Sequence, residues 1–275
     1  ILQQLYERGY ITERYGMLPL DTAGCDEENY HRLLVAVRAG IKFDNGVSIV
    51  GLNIGAPFKG MDVNGYIDND TIMQDGASFI VRNDDNRMMG YLDEGKAFVA
   101  WFQKQFGRLN GYTAVLLGAG PTNVSIALEL IKTDVKKIII TDKNFERAEQ
   151  LAQRLRGLGV HASAVEADES NREIGKNLHK EIQQADIIVN GTGIGKRPLN
   201  LGSPLANPIT FKDDAIVIDL DYNLGDYNIL SQAKLSNPKV RVASGIGFMI
   251  EYNARQILDL MTHDQRERLK EVVYK

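Results

Sequence analysis

Cysteine is almost missing from this chain. Cys25 stands alone among 275 residues, so an internal disulfide framework is excluded and a reducing compartment suits the sequence. Histidine is scarce too: the four histidines lie far apart without paired ligand spacing, so no metal site is expected. No apolar run approaches the length that spans a bilayer, and the opening ILQQLYERGY lacks a charged-then-apolar secretory pattern. Positive charge is in slight deficit, with a net charge of -4 and a pI near 5.7. Neither nucleic acid nor an anionic membrane therefore has an electrostatic reason to bind. Internal repeats and low-complexity tracts are lacking as well. These absences point to a cytoplasmic protein whose partner is a small molecule, with monomer and homodimer both compatible.

What remains is an ordinary globular composition, 44% apolar and 25% charged, long enough for one large domain or two of moderate size. From Thr113 onward, short β-branched runs alternate with helical patterns. The runs are TAVLLG (113–118), KIIIT (137–141), ASAVEA (162–167), DIIVNGT (186–192), AIVIDL (215–220) and VRVAS (240–244). They are mostly too short for helices and largely apolar, as strands covered on both faces should be. TNVSIALELIKT and NFERAEQLAQRLRGLG fill the first two intervals as helices, the second stopped by Gly157 and Gly159. This alternation predicts an α/β doubly wound parallel sheet of Rossmann type over residues 110–243.

The first 109 residues read as a separate α/β lobe. YHRLLVAVRAG is a predicted helix, VSIVGLNIG, ASFIV and RMMGYL are predicted strands, and EGKAFVAWFQKQFG is a helix with Phe98, Trp101, Phe102 and Phe106 on its apolar stripe. Residues 244–275 read as one or two helices that return to the first lobe, leaving a cleft between two lobes.

VLLGAGPTNVSIALEL places Gly118 and Gly120 at the seam between a strand and its helix. Glycine there permits a tight turn and lets backbone amides approach a pyrophosphate, while the helix start supplies donors. The segment Gly118, Ala119, Gly120, Pro121, Thr122 and Asn123 is thus the candidate phosphate cradle, with Thr122 or Asn123 where a third glycine is usual. Asp142 ends the next strand, 22 residues past Gly120, where an acid accepts from both ribose hydroxyls and repels a 2′-phosphate. NAD is expected over NADP, although Lys143 beside it leaves NADP open; a helix N-cap is the competing role for Asp142. Asn190, Gly191 and Thr192 form a small-residue loop at a strand end, suited to run flat against a nicotinamide ribose.

In order along the chain, these pieces resemble the shikimate/quinate dehydrogenase family. GLNIGAPFKGM is similar to its Asn-Val-Thr-x-Pro-(Phe/His)-Lys segment, DGASFIV to its Gly-Ala-x-Asn-Thr turn, and GYLDEGKAF to its Gly-x-Asn-Thr-Asp-x-x-Gly-Phe segment. LLGAGPTNVSIAL, IVNGTGIG, VIDLDYNL and GIGFMIEYNA resemble its cofactor loop, its Asn-Ala-Thr-x-x-Gly loop, its Asp-x-x-Tyr-x-Pro segment and its last helix start. The resemblance implies the two-lobe fold and an NAD(P)-dependent oxidation of a secondary alcohol. It makes Lys59 the proton carrier, partnered by Glu94 or Asp93, which needs a lysine whose pKa is drawn toward working pH. It sets Tyr222 and Gly245 near the nicotinamide, and Asn53, Gly55, Phe79 and Tyr252 on the substrate side.

Departures from the family pattern fall in the substrate half. The family's Ser-x-Ser-Pro segment has no clear counterpart, its threonine is Gly55, the asparagine of its turn is Phe79, and its Asn-Thr pair is Leu92 and Asp93. Polar partners of ring hydroxyls are lost, so a less hydroxylated or larger substrate than shikimate is expected. A folate-type methylene dehydrogenase, which also uses a lysine and would stack a pterin ring in the cleft, and a non-catalytic NAD-binding protein, which has no need of Lys59 and its acid, are the alternatives.

Overall fold

The computed structural model describes Glu7 and residues 26–261, save 41, 43, 56, 57, 60, 64, 69–75, 84, 168–171, 197–201 and 207. The segment 15–25, in which the serine-containing family motif has no counterpart, lies outside the described residues, as does the second of the expected C-terminal helices. The chain divides into two compact units. One holds the described residues up to Asp93 together with those from Asn253 on; the other is Glu94–Tyr252.

In the first unit, α1 (Glu27–Ala39) starts where the Asp26 carboxylate accepts from the Asn29 N–H at 2.8 Å, and stops at Gly40, whose φ of 75° a side chain would resist. Strands β1 (Gly51–Asn53), β2 (Phe79–Arg82) and β3 (Met88–Tyr91) form an antiparallel sheet in that order. Its period of two sorts the side chains. Leu52, Ile80 and Met88 pack with Tyr30, Leu34 and Val37 of α1 in one core. Asn53, Phe79 and Tyr91, register partners across the three strands, fall on the other face. The expected strand over VSIVGLNIG shrinks to three residues, while Ser48 makes only an isolated bridge with Lys42.

The second unit opens with α2 (Glu94–Phe106), then β4 (Thr113–Leu117), α3 (Pro121–Leu130), β5 (Lys137–Thr141), α4 (Phe145–Gly157) and β6 (Ala162–Ala164). It continues with α5 (Arg172–Gln184), β7 (Ile187–Asn190), β8 (Ile216–Asp219), α6 (Ile229–Ser236), β9 (Arg241–Ser244) and α7 (Ile246–Leu260). The six strands are parallel in the order β6-β5-β4-β7-β8-β9, the doubly wound pattern that the alternation predicts. Successive residues feed opposite faces. Ala114, Leu116, Ile138 and Ile140 join α2, α3 and α4 in one core, and Val115, Leu117 and Ile139 join Leu178 and Ile182 of α5 in the other. Each fully buried isoleucine or leucine contributes roughly 1.5–3 kcal/mol, which is why apolar runs this short hold a sheet.

Helix α2 packs within the second unit, which begins at Glu94. Its Phe98 and Phe102 are fully buried there, as the aromatic stripe predicts. Gly95 lets α2 approach α3: a Cβ would land inside the carbonyl of Ser125, whose hydroxyl accepts from the Gly95 N–H at 2.9 Å. Helix α7 leaves the second unit at Tyr252, and its later turns belong to the first, so the C-terminal helix does return as expected. There Gln256 Oε1 accepts from Asn53 Nδ2 at 3.4 Å.

Candidate functional site

The carboxyl ends of the central strands come level. Thr141, Leu117, Asn190, Asp219 and Ser244 are register partners across β5, β4, β7, β8 and β9. The strand order reverses between β4 and β7, and a doubly wound sheet receives its ligand in the crevice at that point. The glycine loop after β4 and the Asn190–Gly191–Thr192 loop after β7 meet there: a Cβ on Gly118, at φ 94°, would sit 3.3 Å from the Thr192 methyl and 3.4 Å from the Gly191 carbonyl.

Gly120 is the N-cap of α3, with no side chain capping the helix and Pro121 filling its first turn. A Cβ there would meet nothing within 4 Å, so the helix start faces open space. This geometry fits a diphosphate approaching the helix amides. Ala119 and Asp142 are joined, because the Ala119 N–H donates to Asp142 Oδ2 at 2.7 Å. Asp142 Oδ1 accepts from the Asn144 N–H at 2.9 Å. The competing N-cap role for Asp142 is overturned: Asn144 caps α4, accepting from the Glu146 N–H at 3.1 Å. Lys143 is exposed, and Arg147, which the sequence reading passed over, reaches back to donate to the Ala119 carbonyl at 3.1 Å. Its spacing of one helical turn from Lys143 was the available signal.

Asn123 and Asn190 turn inward, each 1% exposed. Asn123 Nδ2 donates to the Leu117 and Gly118 carbonyls at 2.9 and 2.7 Å, and its amide lies where a Gly191 side chain would begin. Asn190 Nδ2 donates to Ile194 O at 3.1 Å and to Asp219 Oδ2 at 2.8 Å, while its Oδ1 accepts from the Thr192 N–H at 3.1 Å and hydroxyl at 2.6 Å. Both asparagines thus shape loops from beneath. Gly245 is likewise a packing glycine, since a Cβ would enter the Leu220 carbonyl, and its N–H donates to Asp221 O at 3.0 Å. Tyr222 is 58% exposed beside this edge. Burial pushes the Asp219 carboxyl up to about 6, against donation from Asn190 and from the Asp221 N–H. The hydrogen bond and ion pair to Asp221, 2.9 Å away, raises Lys196 above the ordinary lysine range.

In the first unit, the Lys59 N–H donates to the Gly55 carbonyl at 2.9 Å, closing a turn that leaves the lysine half-buried. Phe58 anchors this turn, stacked on Tyr30 with ring centroids 5.0 Å apart. Tyr30 is itself 3% exposed, and burial lifts its hydroxyl to about 12. Asp93 and Phe79 are buried, Asn53 and Gly55 exposed. In the second unit Glu94 is buried in the first turn of α2, and Tyr252 joins the core, its ring stacked 6.3 Å from Phe248.

A Rossmann-type sheet joined to a small α/β unit defines the class of fold. The family model for shikimate/quinate 5-dehydrogenase matches residues 100–219. Among similar proteins, a shikimate dehydrogenase (NADP(+)) from Methanopyrus kandleri is 28% identical over 80% of this chain and 73% of its own length. Shikimate 5-dehydrogenase from Listeria monocytogenes, solved with shikimate and NAD, shares the fold at TM-score 0.70 and 20% identity, covering 90% of this chain and 83% of its own. A shikimate dehydrogenase solved with NADP+ matches at TM-score 0.66 and 26% identity, over 84% of this chain and 75% of its own. The similarity to shikimate/quinate 5-dehydrogenases is therefore distant, and its family match falls on the unit that bears the six-stranded sheet.

Proposed function

We propose that this chain is an NAD(P)-dependent oxidoreductase, moving a hydride between a nicotinamide and a secondary alcohol or ketone carbon of a small carboxylated substrate. The observation that carries the reading is the sheet edge at its order reversal, where the uncapped start of α3 opens beside Gly118, Gly120 and the Thr192 loop. Asp142, its rotamer set by two backbone N–H groups, takes the ribose hydroxyls and favours NAD. Lys143 and Arg147 keep NADP within reach, the cofactor in the names of the curated relatives.

A bound nicotinamide would supply the hydride acceptor or donor. The protein's share is the proton: Lys59, as the amine, accepts it from the substrate hydroxyl during oxidation and returns it during reduction. Asp93 or Glu94 orients the ammonium. Phe79 and Leu92, where the family carries asparagine, favour a substrate with fewer hydroxyls than shikimate.

A screen of cyclic and linear hydroxy acids with NAD and NADP, followed by nicotinamide absorbance, tests the reading. Turnover is expected with NAD, and Lys59→Ala should lower kcat about 10²- to 10⁴-fold while NAD affinity is retained. An unchanged kcat in that variant would overturn the proton-carrier role. Rapid turnover of shikimate itself would overturn the substrate inference.

A further inference from the structure

Asp219 belongs to no part of the proposed chemistry, yet it is a carboxylate 1% exposed at the end of β8, next to the loop that would carry the cofactor. Its Oδ2 accepts from Asn190 Nδ2 at 2.8 Å and its Oδ1 from the Asp221 N–H at 3.0 Å. An ionised carboxylate only accepts, so it forces the Asn190 amide to present nitrogen on that side. Asn190 Oδ1 must then face Thr192, where it takes both the N–H and the hydroxyl. The Thr192 hydroxyl oxygen in turn accepts from the Ile194 N–H at 3.1 Å, and Asn190 Nδ2 also holds the Ile194 carbonyl. Gly193 and Gly195, at φ 74° and 103°, give this turn no stiffness of their own. Its shape therefore depends on one amide orientation.

We propose that Asp219 is a positioning residue: its carboxylate sets the Asn190 amide and thereby holds the 191–195 loop in the form that receives the dinucleotide. The proposal rests on reading this edge as a nucleotide site. Protonation removes the charge of Asp219 and gives it a donor beside the two N–H groups it now accepts from. The neutral acid still has acceptor lone pairs on both oxygens, but it accepts more weakly than the carboxylate, and its O–H no longer forbids the amide from turning over to set its NH₂ against the Thr192 N–H. The charged group facing Asp219 is Asp221 of its own strand end, held by Lys196 from the loop after β7. Neutral neighbours among the described residues are Asn190 from β7, register partner Ser244 from β9, and Gly195, whose added Cβ would lie 3.8 Å from Oδ2. Burial, which lifts this carboxyl to about 6, brings the switch into an accessible range.

The test pairs NAD affinity with hydrogen exchange, from pH 5 to 8, in the full-length wild type and Asp219→Asn. Wild-type affinity should weaken between pH 7 and 5, by up to about tenfold as the ionised fraction of Asp219 falls to roughly one in ten, and protection of the Thr192 and Ile194 amides should fall with it. Asp219→Asn should bind more weakly at pH 7, lose that protection, and show no such pH dependence. Equal protection in both proteins, or parallel pH profiles of affinity, would overturn the positioning role. Wild type that binds no NAD at any pH, while the exchange contrast persists, would overturn the nucleotide reading and leave the loop-positioning role standing.

Discussion

Asp219 also makes a stability prediction that needs no ligand. Its carboxyl titrates at about 6 in the folded protein, against 3.8 as the ordinary value. The folded state therefore binds this proton more tightly than the unfolded chain. Between those two values the unfolded state has already lost the proton and the native state has not, so stability falls as pH rises through the window. Above pH 6 the ionised, buried group costs the native state about 3 kcal/mol relative to pH below 3.8. Asp219→Asn removes that dependence. It also sacrifices one of the two accepted hydrogen bonds, a loss of about 1–2 kcal/mol at any pH. The variant should be the less stable protein near pH 4 and draw level with wild type or overtake it by pH 7. Urea denaturation of both proteins at matched pH, followed by Trp101 fluorescence, isolates the effect: the single tryptophan packs in the same unit as Asp219. Titrating groups that do not interact with Asp219 cancel in the difference, which leaves Asp221 as the coupled neighbour. A difference that stays constant from pH 4 to 7 would refute the reasoning.

Other expectations follow from single contacts. Asp142→Ser removes the charge that opposes a 2′-phosphate and should shift the NAD-to-NADP affinity ratio toward NADP by about tenfold or more, measured by titration with each dinucleotide; an unchanged ratio would deny Asp142 its assigned role. Gly95→Ala places a methyl against the Ser125 carbonyl at the α2–α3 crossing and should cost about 1–3 kcal/mol in urea denaturation. Tyr30→Phe should do the reverse, raising stability by about 1 kcal/mol, because the buried hydroxyl has no hydrogen-bond partner among the described residues while the ring keeps its stack on Phe58. A clear drop in melting temperature for that variant would show that the hydroxyl is satisfied.

The doubly wound sheet was legible because its signal is local. Largely apolar, β-branched runs of five to seven residues, spaced by helical patterns, admit few arrangements, and Gly118 and Gly120 mark one strand–helix seam by spacing alone. The aromatic stripe of α2 was equally local. Helices α5 and α6 gave weaker signals, the first because buried Leu178 and Ile182 lie on an otherwise polar stretch, the second because it is eight residues long and begins on an Asn228–Ser231 capping box. Among site residues, Asp142 could be picked out by its distance from the glycine loop, but the hydrogen bond it accepts from the Ala119 N–H could not.

Sequence alone determined the succession of strands from Thr113 on, the glycine seam, the acid at the end of the next strand and the lysine after Phe58, since each depends on residues near one another along the chain. Tertiary structure alone decided that Asn123 and Asn190 turn inward to brace loops, that α2 packs with the sheet, and that Asn190, Asp219 and Ser244 come level across three strands. Register and side-chain orientation arise from pairings between distant segments. A polar residue at a strand end is the same letter whether it faces a ligand or holds up the loop that does.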